Sequence, residues 1–139
     1  MKVACGQTGF AYNSPSTEHL WGGPVLRNIE FRADACSPNP NSGTGVVIND
    51  TNDFFLENVS ASDFEGGYGF IITATSDLAP SQYGTLLNCR AYNDKFGMKL
   101  HNTSGVRVIA SHLDGNYNNQ AGHPIRATSI GLWTTGSTG

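Results

Sequence analysis

The sequence predicts an all-β solenoid, in which short strands of successive repeats stack on one another. Three observations carry this reading. First, an asparagine recurs every 30 residues after apolar positions: Asn28 after Val25, Leu26 and Arg27; Asn58 after Phe55, Leu56 and Glu57; Asn88 after Leu86 and Leu87. Second, a glycine-led apolar phrase follows each one, at Gly45 to Ile48, Gly69 to Ile72 and Gly97 to Leu100. Repeats of 20–50 residues built from short strands are the signature of a stacked architecture. Third, charged residues make up only 14% of the chain, with 17 glycines and abundant Asn, Ser and Thr. Such a composition favours strands and tight turns over helices, and no amphipathic stretch of helical period is present.

The elements follow in order. Residues 1–23 do not match the repeat; with Asn13, Ser14, Pro15 and Gly22, Gly23, Pro24 they read as loop and turn, a partial coil or cap. Coils then occupy 24–139. Coil one covers about 25–50, with a protruding loop around 36–43. Coil two, about 54–77, is the most regular. An insertion at 78–83 precedes coil three, about 85–103. Coil four starts near 106 and carries the longest insertion, 116–128, before Ile130, Gly131, Leu132 and Trp133. Leu26, Leu56 and Leu87 are expected at equivalent inward places, as are Phe31, Ala61, Ala91 and Leu113. Large and small residues in one column can fill a narrow interior. Arg27, Glu57 and Arg107 fit a solvated wall.

The asparagines have a physical account. Stacked strands lie about 4.8 Å apart, so amides at an inward corner can donate and accept along a continuous ladder. Asn58, Val59 and Ser60 spell a glycosylation acceptor, but a buried ladder residue would be a poor one. Ala110 stands at the fourth position, where the ladder is expected to stop.

Bulk properties exclude several classes. With 8 Lys and Arg and a net charge of -3, nucleic-acid binding has no electrostatic footprint. No apolar run reaches the roughly 18 residues of a membrane span, and the first residues lack the apolar region of a signal peptide. Three cysteines show no metal-ligand spacing. Cys89 follows Asn88 as Ile29 and Val59 follow their asparagines, and reads as a small buried hydrophobe. A Cys5–Cys36 disulfide stays open.

These corners and strands resemble the right-handed parallel β-helix of the pectate lyase superfamily, over roughly residues 24–136. The resemblance implies a β-helix of about four coils, like the domains of glycoside hydrolases, epimerase-like enzymes and phage tailspikes. It implies a polysaccharide partner and an extracellular or virion-surface location. Members are commonly much longer, which implies a fragment, or ends covered by something else. Uncapped ends expose strand edges and invite homo-oligomeric or end-to-end association. The polygalacturonase motifs are not reproduced at the matching stretches.

What those stretches hold is a carboxylate cluster of Asp63, Glu65 and Asp94. Asp63 lies five residues after Asn58 and Asp94 six after Asn88, so both are expected on one edge of adjacent coils, about 5 Å apart. Glycosidases need carboxyls roughly 5–5.5 Å apart for retention or 6.5–9.5 Å for inversion, and a neighbouring like charge raises one pKa to make a general acid. Asp63 and Asp94 are the candidate acid and base or nucleophile, with Glu65 assisting. Lys95 and Arg126 could hold an acidic sugar's carboxylate, Tyr68 and Phe96 could stack on sugars, and His123 lies in the coil-four insertion. Asp34, six after Asn28, extends the column. Asp and Asn are also ordinary turn residues. The oxygen-rich turns at Asp50, Asp53 and Asp77 could bind Ca²⁺, but such turns are far commoner without metal, and no cofactor is expected. Function divides between a polysaccharide hydrolase or lyase and a structural or adhesive glycan-binding module.

Overall fold

The computed structural model describes residues 1–14, 22–36, 41–75 and 81–115, with 81, 82, 115 and 130–135 given through their backbone. The protein is all-β, and every strand pairing among the described residues is parallel. One sheet contains β1 (Lys2–Val3), β3 (Val25–Ala33), β5 (Phe55–Ser62), β8 (Thr85–Leu87), β9 (Arg90–Asp94), β12 (Arg107–Ile109) and β13 (His112–Gly115). A second contains β2 (Thr8–Asn13), β4 (Thr44–Asn49), β6 (Tyr68–Thr73), β10 (Phe96–His101) and β14 (Ile130–Thr135). A short third pair joins β7 (Ser81–Gln82) to β11 (Thr103–Ser104). Among the described residues no helix is long and apolar enough to cross a membrane.

Register puts like beside like. In the first sheet Leu26, Leu56 and Leu86 form one column, and Phe31, Ala61 and Ala91 another. In the second, Phe10, Val46, Phe70 and Met98 align, as do Tyr12, Ile48, Ile72 and Leu100. The core lies between the two sheets, and Val46, Ile48, Leu56, Val59, Phe70, Ile72, Leu86 and Met98 are fully buried. Leu87 is therefore not the core leucine of its repeat. It pairs with Glu57, and Leu86 takes the interior place.

The asparagines act through their backbone. Asn28, Asn58 and Asn88 have φ of 54°, 53° and 51°, the left-handed region that Asn enters more readily than most residues. A single left-handed residue resets the in–out alternation of a strand. Glu57 and Asn58 thus both face outward, while Leu56 and Val59 on either side are buried. The ladder expected at an inward corner consequently runs on the solvent side. Its bonds are present: Asn58 Nδ2 donates to Asn28 Oδ1 at 2.9 Å, and Asn88 Nδ2 to Asn58 Oδ1 at 2.6 Å. Ala110 holds the same conformation, φ 48°, without an amide to continue the row.

Glycine sets how closely the sheets approach. A methyl group at Gly45 would stand 2.4 Å from Ala61 Cβ, and one at Gly69 2.7 Å from Ala91 Cβ. The glycine column of one sheet thus rests on the small-residue column of the other. Cys89 is free and buried in this core, and burial pushes its thiol pKa up. Cys5 and Cys36 form a disulfide across 31 residues. Closing a loop of that size is worth roughly 3–4 kcal/mol in the chain-entropy account, and disulfides persist in oxidising compartments.

Two substitutions test the corners. Asn58→Leu removes both ladder bonds and puts a poorly suited residue in left-handed backbone, so it should cost about 1–3 kcal/mol. Ala110→Asn relieves strain and offers a partner to Asn88, and should stabilise by about 1 kcal/mol. Chemical denaturation midpoints read both, and an Ala110→Asn protein no more stable than wild type would count against this account.

Candidate functional site

The two sheets are joined at one corner by segments 63–67 and 93–95, and the expected site residues gather here. Asp63 and Asn93 are again left-handed, with φ of 66° and 57°. They occupy equivalent places, because Ser62 pairs with Tyr92 and the Asp63 N–H donates to the Tyr92 carbonyl. Asn93 Nδ2 donates to Asp63 Oδ1 at 2.8 Å and reaches Glu65 Oε1 at 3.5 Å. Arg32 Nε donates to Asp63 Oδ2 at 2.7 Å. Both oxygens of Asp63 are therefore engaged, and this hydrogen bond and charge hold the Arg32 guanidinium above its ordinary pKa.

Around this network lies an open cleft of about 510 Å³, lined by Lys2, Arg32, Asp34, Cys36, Asn41, Asp63 and Glu65 among others. Asn41 is buried and fixes one wall: its Oδ1 accepts from the Gly6 and Gly43 N–H groups at 3.1 and 2.8 Å, and its Nδ2 donates to the Asp34 carbonyl at 3.0 Å. The Cys5–Cys36 disulfide adds a covalent tie to the same wall. Asp34 is exposed and meets Lys2 Nζ at 3.7 Å, without reaching the Asp63 network. Beside the cleft, Ser62 Oγ and Tyr92 OH both donate to Glu30 Oε1 at 3.5 Å.

Asp94 departs from expectation. It is one place beyond Asn93, in register with Phe64, and points into the core with no exposed surface. Its Oδ1 accepts from the buried Phe64 N–H at 2.9 Å, and its Oδ2 has no hydrogen-bond partner. A methyl group on Gly69 would stand 2.7 Å from that Oδ2. Burial, against the pull of the Phe64 bond and with help from the Asp63 charge, raises its pKa to about 8. Asp63 and Asp94 thus lie on opposite sides of the sheet wall, because Asn93 takes the outward corner.

Tyr68 and Phe96 pair in register and stack on each other, with centroids 4.6 Å apart and planes 20° apart. The Lys95 ammonium sits 5.3 Å from the Phe96 centroid, a cation–π contact. Both rings are half-buried. Burial raises the Tyr68 phenol pKa. His123, Arg126 and Asp77 lie outside the described residues. Asp50 is engaged by Thr75, whose N–H donates at 2.8 Å and whose hydroxyl donates at 3.1 Å. Among the described residues no group of three or more His, Cys, Asp and Glu is arranged to hold a metal ion.

Sequence reasoning missed Arg32, Asn41, Tyr92 and Asn93. The signal for Asn93 was available, since the 30-residue spacing that pairs Asn58 with Asn88 also pairs Asp63 with Asn93. No family model, curated protein or solved structure matches this chain.

Asp94 generates a pH prediction. Its folded-state pKa of about 8 lies above the unfolded value of 3.8, so the folded protein holds this proton more tightly. The stability tied to that proton is full below about pH 4 and declines as pH rises to about 8, by on the order of 5 kcal/mol in total. Asp94→Asn keeps the acceptor for Phe64 and removes the titration. It should be several kcal/mol more stable than wild type at pH 8 and nearly equal to it at about pH 3. Parallel stability–pH curves for the two proteins would refute this assignment.

Proposed function

We propose that this chain is a right-handed parallel β-helix of about four coils, similar to the pectate lyase superfamily, that binds a polysaccharide at the corner cleft without cleaving it. The stacking of parallel strands in repeat register supports the architecture. The observation that carries the binding reading is the state of the acids. Asp63 is held on both oxygens and Asp94 is enclosed in the core, so this pair cannot act together from one surface. What the cleft offers a ligand is a set of charged and polar groups, from Lys2, Arg32, Asp34, Asp63 and Glu65, suited to sugar hydroxyls and acidic substituents. The disulfide agrees with an extracellular or virion-surface setting. Val108 and Ile109 are exposed on β12, which supports association of this strand edge with another copy.

A second reading, retaining hydrolysis, keeps Asp63 and Glu65 as the acid pair. One amide nitrogen, Asn93 Nδ2, contacts both carboxylates. That brings the two carboxyls close together, as the roughly 5–5.5 Å of retaining glycosidases requires.

Affinity electrophoresis through gels containing neutral or acidic polysaccharides, with a reducing-end assay on the same panel, separates the two. Under the binding reading, one polysaccharide retards the wild type, Arg32→Ala and Glu65→Gln weaken retention about tenfold, and no reducing ends appear. Release that disappears in folded Asp63→Asn and Glu65→Gln proteins would establish the hydrolase instead. Absence of both retention and release across the panel would reject both.

A further inference from the structure

We propose that the outer face of the first sheet carries a second glycan-binding surface, a groove along the asparagine ladder that takes one extended strand bearing an acidic group. This inference rests on the polysaccharide reading but concerns a different face from the corner cleft. Two concavities of about 270 and 410 Å³ lie on this face, and both are lined by Asn88 and Arg90. Asn88 and Arg90 stand between them, with Asn28 and Asn58 on one side and Tyr92 and His112 on the other, so a strand laid across the face meets both.

Three features define the ligand. The first is periodic hydrogen bonding. Asn58 and Asn88 each spend one amide N–H within the ladder. A primary amide carries two such donors, so an N–H of each exposed side chain remains for a ligand. These donors repeat at the strand spacing of about 4.8 Å, close to the advance of one sugar in an extended chain.

The second feature is charge. Arg90 is exposed and makes no ion pair among the described residues. Its register neighbours are Ser60 and His112, neither of them acidic. On the same face Arg27 pairs with Glu57 at 3.1 Å and His112 with Asp114 at 2.7 Å. Glu30, two strands away in the column of Ser60 and Arg90, accepts from the Ser62 and Tyr92 hydroxyls. Arg107 does not line either concavity. Beside the asparagine amides and the His112–Asp114 pair, Arg90 is the lining guanidinium without a carboxylate of its own among the described residues, and its fork fits a carboxylate or sulfate ester on the strand.

The third feature is an aromatic. Tyr92 is 42% exposed and lies next to Arg90 in the groove, where a ring offers a sugar an apolar surface.

The test is calorimetric titration with three hexasaccharides: a uronate oligomer, a sulfated galactan oligomer and an uncharged oligomer. Arg90→Gln and Asn58→Gly are compared with wild type, with folding checked by circular dichroism. Arg90 is a surface residue, and glycine accepts the left-handed backbone of position 58, so both should fold. The proposal expects at least one acidic hexamer to bind, with affinity lowered about tenfold by Arg90→Gln and lowered less by Asn58→Gly. The uncharged hexamer should be indifferent to Arg90→Gln. Acidic hexamers bound equally by wild type and Arg90→Gln overturn the groove, as does affinity lost in Glu65→Gln but kept in Arg90→Gln. The latter result leaves the corner cleft standing as the polysaccharide site. Failure of every hexamer also overturns the groove, whereas the polysaccharide reading itself falls only if retention in polysaccharide gels fails too.

Discussion

The left-handed backbone of a few asparagines and aspartates governs the arrangement of everything else. A regular strand alternates its side chains, and a chain of such strands cannot turn a corner while keeping apolar residues on one side. A left-handed residue inserts one outward position and lets alternation restart. Asn28, Asn58, Asn88, Asp63 and Asn93 all do this. Asn and Asp tolerate the conformation at lower cost than other residues with a Cβ, which explains why this composition is so rich in them. The amide bonds of the ladder add to a geometry that the backbone already imposes. At the surface each is worth about 0.5–1.5 kcal/mol at most.

Corners alone would leave the interior too wide. The glycine at the start of each second-sheet phrase removes a side chain where it would strike the opposite sheet, and alanines at 61 and 91 complete the fit. The same tightness constrains the polar residues. A carboxyl directed inward beside Gly69 is shut off from solvent and meets the Phe64 N–H on one oxygen only, whereas one directed outward at 63 finds Arg32 and Asn93. Position relative to the corner therefore decides whether an acid is a neutral interior group or a charged member of a surface network.

The parallel all-β architecture was legible in the sequence because both of its signals are periodic. The 30-residue return of asparagine marks the corners, and the glycine-led phrase marks the second sheet. The site was legible only in part. Asp63 and Glu65 were picked out, but Asp94 was matched to Asp63 on residue type, one place out of register. A one-residue slip exchanges inside for outside, so the error moved a core residue onto the surface. The same slip exchanged Leu87 for Leu86. Arg32 and Tyr92 escaped notice because their importance comes from neighbours far off in the chain, Asp63 and Glu30, 31 and 62 residues away, and nothing local distinguishes them. The solvent-facing direction of the ladder depends on φ, which residue identity suggests but does not state.

The buried carboxyl at 94 still needs a reason to be tolerated. The repeat before it places Phe64 at the equivalent position, and Phe64 also has a backbone N–H that faces the interior where its strand ends at the corner. Lys95 and Phe96 satisfy their own N–H groups on the Phe64 and Gly67 carbonyls, but the Phe64 donor has no strand carbonyl in line with it. Asp94 Oδ1 supplies the acceptor. An unsatisfied buried N–H costs about 1–3 kcal/mol, and a protonated carboxyl satisfies it without burying a charge. Interior Asp94 is thus accounted for by the backbone it serves. The acid that the left-handed corner turns outward, Asp63, is held instead by Arg32 and Asn93.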